Sequence, residues 1–345
     1  MKRYFRRGIL SFICLLLSSS SALWGDEGRI SGYFFGDYYY VLKSSDAAFE
    51  DRNGFQYRRV YFNYDKELSD AFSMRFRLEM NGQSFPTARQ TSSKIVPFLK
   101  NGYLRWKQPK WRTNIYLGIS SNPTWQNVEK IWGYRSVAKT VLDLHKMGNG
   151  SDFGIALQGD VDKSKKVSYH LIFANGMSTN AEIDNNKKIA FSLAAKPATG
   201  FIVEGYADLE NAVDRGRWYI LQGFLGYQRE QFRLGVQLAN QTRQKNDLNI
   251  LVGSAFGAAQ LIEKKMWAFA RFDRLFDPNP FGKRVAYIPF DDTAAPNMIL
   301  VGLDWAPIEA FHIMPNLVFV FYDEPDNGAK PDATIMPRLT AFFTF

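Results

Sequence analysis

Cysteine is almost absent from this chain: Cys14 is the single cysteine among 345 residues. One thiol cannot form a disulfide framework, and it excludes a metal site built on several cysteines. Cys14 also lies in an apolar N-terminal stretch that we expect to be removed, which would leave a mature chain without thiols. Such a chain suits an oxidising compartment.

Long hydrophobic runs are missing too, since no segment approaches the ~20 apolar residues with which a helix spans a bilayer. The longest run covers residues 8–17 and is followed by small residues. A basic cluster precedes it: Lys2, Arg3, Arg6 and Arg7. This order of charged, apolar and small residues is typical of a secretory signal peptide. We predict that residues 1–25 are a cleaved signal, with cleavage after Ala22 or Gly25, and that residues 26–345 form one mature domain.

The excess of charge of one sign is modest. The chain has 43 Lys and Arg residues against 34 Asp and Glu residues. Four of these bases and none of the acids lie in the predicted signal, so the mature chain has 39 bases and 34 acids. Proteins that bind nucleic acids concentrate their bases more strongly. We therefore expect no nucleic-acid partner.

The chain is rich in segments where apolar and polar residues alternate. Hydrophobic residues make up 46% of the chain and aromatic residues 16%, yet they are dispersed. In residues 71–81 the apolar positions of the alternation are Phe72, Met74, Phe76, Leu78 and Met80. A period of two predicts β-strands. Sixteen such segments begin near residues 28, 54, 71, 97, 113, 152, 166, 187, 201, 217, 232, 249, 265, 297, 312 and 333. The pattern leaves open which face points inward in those near 54, 249 and 265.

Short and long connections alternate between these segments. A bacterial barrel places its short turns in the periplasm and its long loops outside the cell, and its strands alternate lipid-facing and lumen-facing residues. The pattern therefore predicts an all-β fold, a transmembrane antiparallel β-barrel of 16 strands that is wide enough for an aqueous channel. The longest connection, residues 121–151, is the third long loop and is rich in aromatic residues. We expect it to fold inward and narrow the channel, although an outward-facing lid is the alternative.

The chain ends on an apolar, aromatic strand that includes Phe343 and Phe345. Soluble proteins rarely end this way, because their termini are usually exposed and frayed. The ending resembles the C-terminal recognition strand of bacterial outer-membrane barrels. The resemblance implies that both phenylalanines belong to a signal read by the barrel assembly machinery, and that the mature chain contacts outer-membrane lipid and lipopolysaccharide.

Three segments resemble porins of the phosphate-selective (O/P) type. These segments are residues 54–79, GFQYRRVYFNYDKELSDAFSMRFRLE, residues 127–139, NVEKIWGYRSVAK, and residues 151–160, SDFGIALQGD. The resemblance implies a homotrimer of sixteen-stranded channels in the bacterial outer membrane. It also implies selectivity from lumen arginines and lysine clusters, but it does not identify the solute.

The side chains opposite the lipid-facing residues should point into the lumen. The predicted anion contacts are Arg59, Arg75, Arg77 and Arg105 on the wall, with Lys130, Arg135 and Lys139 in the third long loop. Either Arg58 or Arg59 is expected to face inward, and Lys188, Arg233 and Arg338 are further candidates. Glu79 and Glu129 are expected to offset these charges in part. Each arginine could equally pair with a carboxylate to stiffen the wall.

These features together predict a porin through which small hydrophilic solutes and ions diffuse passively, with a mild preference for anions, and phosphate as one candidate. We expect no enzyme activity, cofactor or metal. A lipase or protease is one alternative, because the chain has His145, His170 and His312. No spacing assembles a Ser, a His and an acid, however. A surface adhesin, a structural barrel or a soluble sheet protein are further alternatives.

Overall fold

The computed structural model describes residues 28–81, 96–212, 216–285 and 287–345. The predicted signal peptide at residues 1–25 lies outside these described residues. So does most of the second long loop, which the sequence predicts at residues 82–96.

Sixteen strands make up the described fold. In chain order, β1 to β8 are Arg29–Tyr40, Asn53–Glu67, Phe72–Asn81, Pro97–Gln108, Thr113–Ser121, Ser151–Asp160, Val167–Ala174 and Lys188–Ala195. β9 to β16 are Phe201–Ala212, Gly216–Gln228, Phe232–Arg243, Leu248–Ile262, Met266–Leu275, Pro296–Ile308, Phe311–Tyr322 and Thr334–Thr344. Each begins within one residue of a predicted start, so the strand prediction is confirmed.

The strands form one closed antiparallel barrel in which every strand pairs with its neighbours in sequence. β1 closes the ring by pairing with β16, so that Tyr33 lies opposite Thr344. The main chain of Gly32 exchanges two hydrogen bonds with Phe345, of 2.9 and 3.0 Å. A Cβ atom at Gly32 would lie 2.3 Å from the carbonyl oxygen of Tyr61 and 2.4 Å from the Phe345 ring. Glycine is therefore required where the last residue meets the first strand.

The two faces of the barrel wall differ in exposure. In β11, Leu234, Val236 and Leu238 are 53–56% exposed. Gln237 and Ala239, the neighbours of Leu238 along the strand, are 1% and 2% exposed. The same alternation runs through β8, β9 and β10. A closed barrel that exposes its apolar residues and buries its polar ones has the surface of a protein surrounded by lipid.

Short turns and longer loops alternate around much of the ring, as the sequence predicts, but the connection between β11 and β12, residues 244–247, is shorter than the turn at residues 161–166. Loop 3, residues 122–150, is the longest described loop and contains two helices, α1 at Gln126–Trp132 and α2 at Val141–Leu144. α1 ends at Gly133, whose positive φ of 70° favours glycine. Within the described residues no helix has the length and apolarity needed to cross a membrane.

For two of the three strands whose phase the sequence leaves open, β2 and β12, the structure gives a physical reason. β2 contains a bulge next to Arg58. β12 is apolar on both faces, because Ile250 and Phe256 on its buried face alternate with apolar residues on its exposed face. A local alternation of polar and apolar residues cannot assign such a strand.

Deleting Phe345 should reduce barrel assembly, because the deletion removes the two main-chain hydrogen bonds to Gly32 that close the ring. Export should continue, because the predicted signal is unchanged. We expect less heat-modifiable protein in the outer membrane and unfolded protein in the periplasm, measured by gel migration with and without heating. Phe345→Tyr keeps the main-chain hydrogen bonds and the aromatic side chain, and it should assemble normally. Normal membrane levels after deletion of Phe345 would contradict this role.

Candidate functional site: the inner face and loop 3

We call β7 to β16 the apolar half of the inner face, because most of the buried apolar cluster lies there among buried polar residues such as Gln237 and Asp273, and we call β2 to β6 the polar half. Buried apolar residues of β7 to β16 form one cluster with loop 3, and Ala156 is the sole described member from β2 to β6. At its centre the Trp132 ring lies 5.3 Å from that of Phe256 and 6.1 Å from that of Phe269, edge to face in both cases. Trp132 is 1% exposed and donates a hydrogen bond to the carbonyl of Ala138. Loop 3 therefore packs closely against part of the apolar half, with Trp132 at the centre of the contact.

Polar contacts join loop 3 to strands on several sides of the ring. On β9, the hydroxyls of Tyr206 and Thr124 lie 2.9 Å apart. On β11, Gln241 donates to the Met147 carbonyl at 2.8 Å. On β2, the Arg58 guanidinium donates to the carbonyls of Ser136 at 2.6 Å and Val137 at 2.8 Å. The bonds from Gln241 and Arg58 satisfy loop carbonyls that would otherwise be buried without partners.

Two β-bulges add cationic side chains to the polar half. Between Phe35 and Gly36 of β1, the paired strand β2 carries Arg58 as an extra residue, so Arg58 and Arg59 both reach the inner face. On β4, Lys100 is the extra residue opposite β3. Its ammonium lies 3.6 Å from Glu79. A bulge adds one residue to a strand and re-aims a side chain. Here each bulge turns one more base of its strand toward the lumen.

The structure assigns partners to the predicted wall arginines. Arg75 forms a two-pronged ion pair with Asp65, at 2.6 and 2.9 Å. Arg105 pairs with Glu67 at 3.1 Å. Glu79 is expected to offset the wall bases in part; it pairs with Arg59 among them, and with Lys100, but not with Arg75, Arg77 or Arg105. Lys100 reaches Glu79 because it is the extra residue of the bulge in β4.

Arg77 differs from the other wall arginines. Its Nε donates to the side-chain oxygen of Asn63 at 2.6 Å, and its guanidinium lies 5.1 Å from the centre of the Tyr61 ring. No carboxylate of the described residues lies within ion-pair distance of it. Arg77 therefore carries a positive charge on the inner face that is not neutralised locally.

The three predicted loop bases have different surroundings. Lys130 is exposed. Arg135 lies 3.1 Å from Glu129 and 3.3 Å from Asp143. Lys139 lies 2.8 Å from Asp143. Burial lowers the pKa of Lys139 to about 7, although the carboxylate of Asp143 opposes that shift. The charge of Lys139 therefore changes near neutral pH.

The bases proposed on later strands lie in the apolar half. Lys188 is 1% exposed and is held by Asp208 at 3.0 Å and Glu210 at 3.4 Å. Arg233 lies between two aromatic rings, 4.9 Å from Tyr134 and 5.1 Å from Trp267. In a third case, Arg338 donates to Asn316 at 2.9 Å. These side chains point inward as expected. Lys188 and Arg338 are buried among other side chains, whereas Arg233 is partly exposed and borders a cavity.

The polar half borders a small cavity that water can enter. A cavity of about 190 Å³ lies between α1 and β3 to β7, and its wall includes Arg75, Tyr103, Gln126 and Gln158. Mixed polar side chains of this kind hold water rather than an apolar filling.

The histidines do not form a recognisable catalytic group. His145 contacts Asn279, His170 contacts Gln126, and His312 lies 2.7 Å from Asp304. In the part of the chain that the structure describes, no histidine is hydrogen-bonded to a serine hydroxyl. The same residues contain no cluster of three or more His, Cys, Asp or Glu side chains suited to a metal ion.

Replacing Arg58 with methionine should destabilise the fold strongly. Arg58 and Asp37 form a 3.0 Å ion pair, with side chains 4% and 0% exposed. Removing one partner of a buried pair typically costs about 3–5 kcal/mol. Urea unfolding in detergent measures the change. The matched control is Arg274→Met, which removes an exposed pair with Asp323 and should cost about 0–1 kcal/mol. Equal losses in both variants would contradict the role of Arg58.

No protein-family model and no curated protein sequence matches the chain. Solved structures are similar to it. The anion-selective porin from Comamonas acidovorans has a TM-score of 0.65 at 13% identity, over 92% of this chain and 99% of that chain. The outer membrane channel DcaP of Acinetobacter baumannii has a TM-score of 0.64 at 9% identity, over 92% and 97%. A trimer form of OmpT, an outer membrane protein of Vibrio cholerae, has a TM-score of 0.57 at 11% identity, over 93% and 100%. At these identities the likeness shows that the chain shares the β-barrel fold of these porins and outer-membrane proteins.

Proposed function

We propose that this protein is a bacterial outer-membrane porin, a water-filled channel for the passive diffusion of small hydrophilic solutes and ions, and not an enzyme. The closed barrel with its apolar outer face supports this function, as do the polar half of its inner face and the likeness to a porin and a channel. We further propose that residues 1–25 direct export to the periplasm and are then removed, and that the mature chain passes through the periplasm to the outer membrane.

Loop 3 is the proposed constriction of this channel. It packs against the inner faces of β9 to β13 through its apolar side and is tied to β2 through Arg58. Its charged residues, Arg135 and Asp143 among them, are then left beside the polar wall. The aqueous path runs between this side of the loop and β2 to β6.

The charge of the wall carries the proposed anion preference. The inner faces of β2, β3 and β4 hold seven bases, of which Arg58 is paired with Asp37 of β1 and the other six are Arg59, Arg75, Arg77, Lys100, Arg105 and Lys107. They hold three carboxylates: Asp65, Glu67 and Glu79. A low-dielectric wall focuses the field of the uncompensated bases into the channel. Screening at physiological salt limits this field to about 8 Å, so the preference is mild and weakens as salt rises.

A homotrimer and a phosphate preference are finer proposals. The trimer form of one similar structure supports the first. The segments that resemble phosphate-selective porins support the second, as does the anion-selective porin among the similar structures. Mass measurement in detergent tests the oligomeric state, and phosphate block of the chloride current tests the preference.

Purified protein in a planar bilayer should conduct in stable steps, because the polar half of the inner face provides a continuous wet surface. Under a potassium chloride gradient the reversal potential should favour chloride. A folded, heat-modifiable preparation that never conducts would overturn the channel function, and a cation-selective potential would overturn the anion preference.

Arg77→Gln should shift the reversal potential towards that of a non-selective pore, because it removes the wall charge that has no carboxylate partner. Arg274→Gln is the matched control, since Arg274 is 40% exposed and pairs with Asp323. It should leave the reversal potential unchanged. The same shift in both variants would show that Arg77 does not act through its position on the inner face.

The anion preference should fall as pH rises from 6 to 8. Lys139 has a pKa of about 7, below its usual value, so it is charged at the lower pH and neutral at the higher one. Its loss of charge leaves Asp143 less compensated. Lys139→Arg stays charged at both values, and should make the reversal potential nearly independent of pH in this range. An unchanged pH dependence in that variant would exclude Lys139 as its source.

A further inference from the structure

A large cavity lies between loop 3 and the short turns that join the strands of the apolar half. Its volume is about 1440 Å³. Glu129 and Arg135 of loop 3 line one end, and the turns that contain Gly200, Arg229 and Lys264 line the other. This volume exceeds the 300–1,000 Å³ of typical small-molecule sites. It can hold an organic solute together with water.

Aromatic rings form a continuous strip along one wall of this cavity. The Phe342 ring lies 5.9 Å from the Tyr33 ring and 5.6 Å from the His312 ring. All three side chains are partly exposed and line the cavity. The Tyr33 ring also lies 4.6 Å from that of Tyr61, beside which Arg77 is placed. The strip therefore runs from the charged wall of the proposed constriction to the short turns.

The rings of this strip are only partly covered. Phe342 packs on one side against the apolar cluster, but Tyr33, His312 and Phe342 all border the open space of the cavity. The Tyr33 and His312 rings are tilted by 52° and 59° to the Phe342 ring, so each partly exposed ring offers its own face or edge to the ring of a solute.

Cations outnumber acids around the same cavity. Its six Lys and Arg side chains are Lys130, Arg135, Arg229, Arg233, Lys264 and Lys265. Its four carboxylates are Glu129, Glu230, Asp304 and Glu309. The excess of two positive charges favours an anionic solute, and guanidinium groups bind carboxylates with paired hydrogen bonds.

We propose that this cavity binds organic anions that combine an aromatic ring with a carboxylate. The ring stacks on the strip formed by Tyr33, Phe342 and His312, and the carboxylate lies against the guanidinium groups of Arg135 and Arg233. Inorganic phosphate and acetate have the charge but no ring, so they gain only the electrostatic part. This inference rests on the proposed channel function, since the cavity is reached through the channel.

The test is block of the chloride current by benzoate, with acetate as the probe of equal charge. Each is added to the bilayer chamber facing the short turns, at neutral pH. A ring contact is worth about 1 kcal/mol, so benzoate should reach half-block at a concentration about five- to tenfold below that of acetate. Equal half-block concentrations for benzoate and acetate would overturn the inference while leaving the channel function intact. Absence of any chloride current would overturn the channel function itself.

Variants locate the effect on the strip. Tyr33→Leu combined with Phe342→Leu should bring the ratio of the two half-block concentrations close to one, while Tyr33→Phe should keep it. Phe34→Leu and Phe319→Leu are matched controls, because these rings lie on the opposite face of β1 and β15, where they stack on Phe343 and Phe321. A ratio unchanged in the double variant would show that the strip is not the site. If the double variant does not fold, the wild-type ratio and Tyr33→Phe still decide.

Discussion

The packing of loop 3 against the inner face of β7 to β16 is the contact on which the rest of the structure depends. A barrel of sixteen strands is wide enough to leave an open lumen, and in this chain one half of it is filled by the apolar side of the loop. Fully burying a large apolar side chain is worth about 1.5–3 kcal/mol. Trp132, Val137, Leu142 and Leu144 are each at most 1% exposed. The loop is therefore held by its own core, and the polar wall of β2 to β6 remains for water.

The charge of that polar wall depends on the irregularities of the strands as much as on their alternation. Regular pairing would direct one of each pair of neighbouring residues outward. The bulges at Arg58 and Lys100 turn an additional base inward, and each then meets a carboxylate, Asp37 or Glu79. Glu79 is thereby shared by Arg59 and Lys100, which leaves Arg77 to the channel.

The sequence predicted the strands and the inner position of Arg75, Arg77 and Arg105 because both follow from a local period of two. It could not resolve whether Arg58 or Arg59 faces inward, since a bulge has no signature in that period. The sequence also could not show that Arg77 lies on the open part of the inner wall whereas Lys188 is buried. Both point inward, but loop 3 and its neighbouring side chains bury one half of the wall, and that burial is a contact between segments far apart in the chain.

The central claim is that water and ions pass along β2 to β6, while the part of the other half that loop 3 covers with its apolar side is closed to them. Cysteine accessibility tests it most directly, because the described residues contain no cysteine and each introduced thiol is therefore unique among them. Gln158→Cys lies on the proposed path, and Ala258→Cys lies on the apolar half, where Ala258 is 6% exposed. The account predicts that a charged, water-soluble thiol reagent modifies Gln158→Cys and reduces its current, and leaves Ala258→Cys unmodified. Equal modification of both, or modification of Ala258→Cys alone, would contradict it.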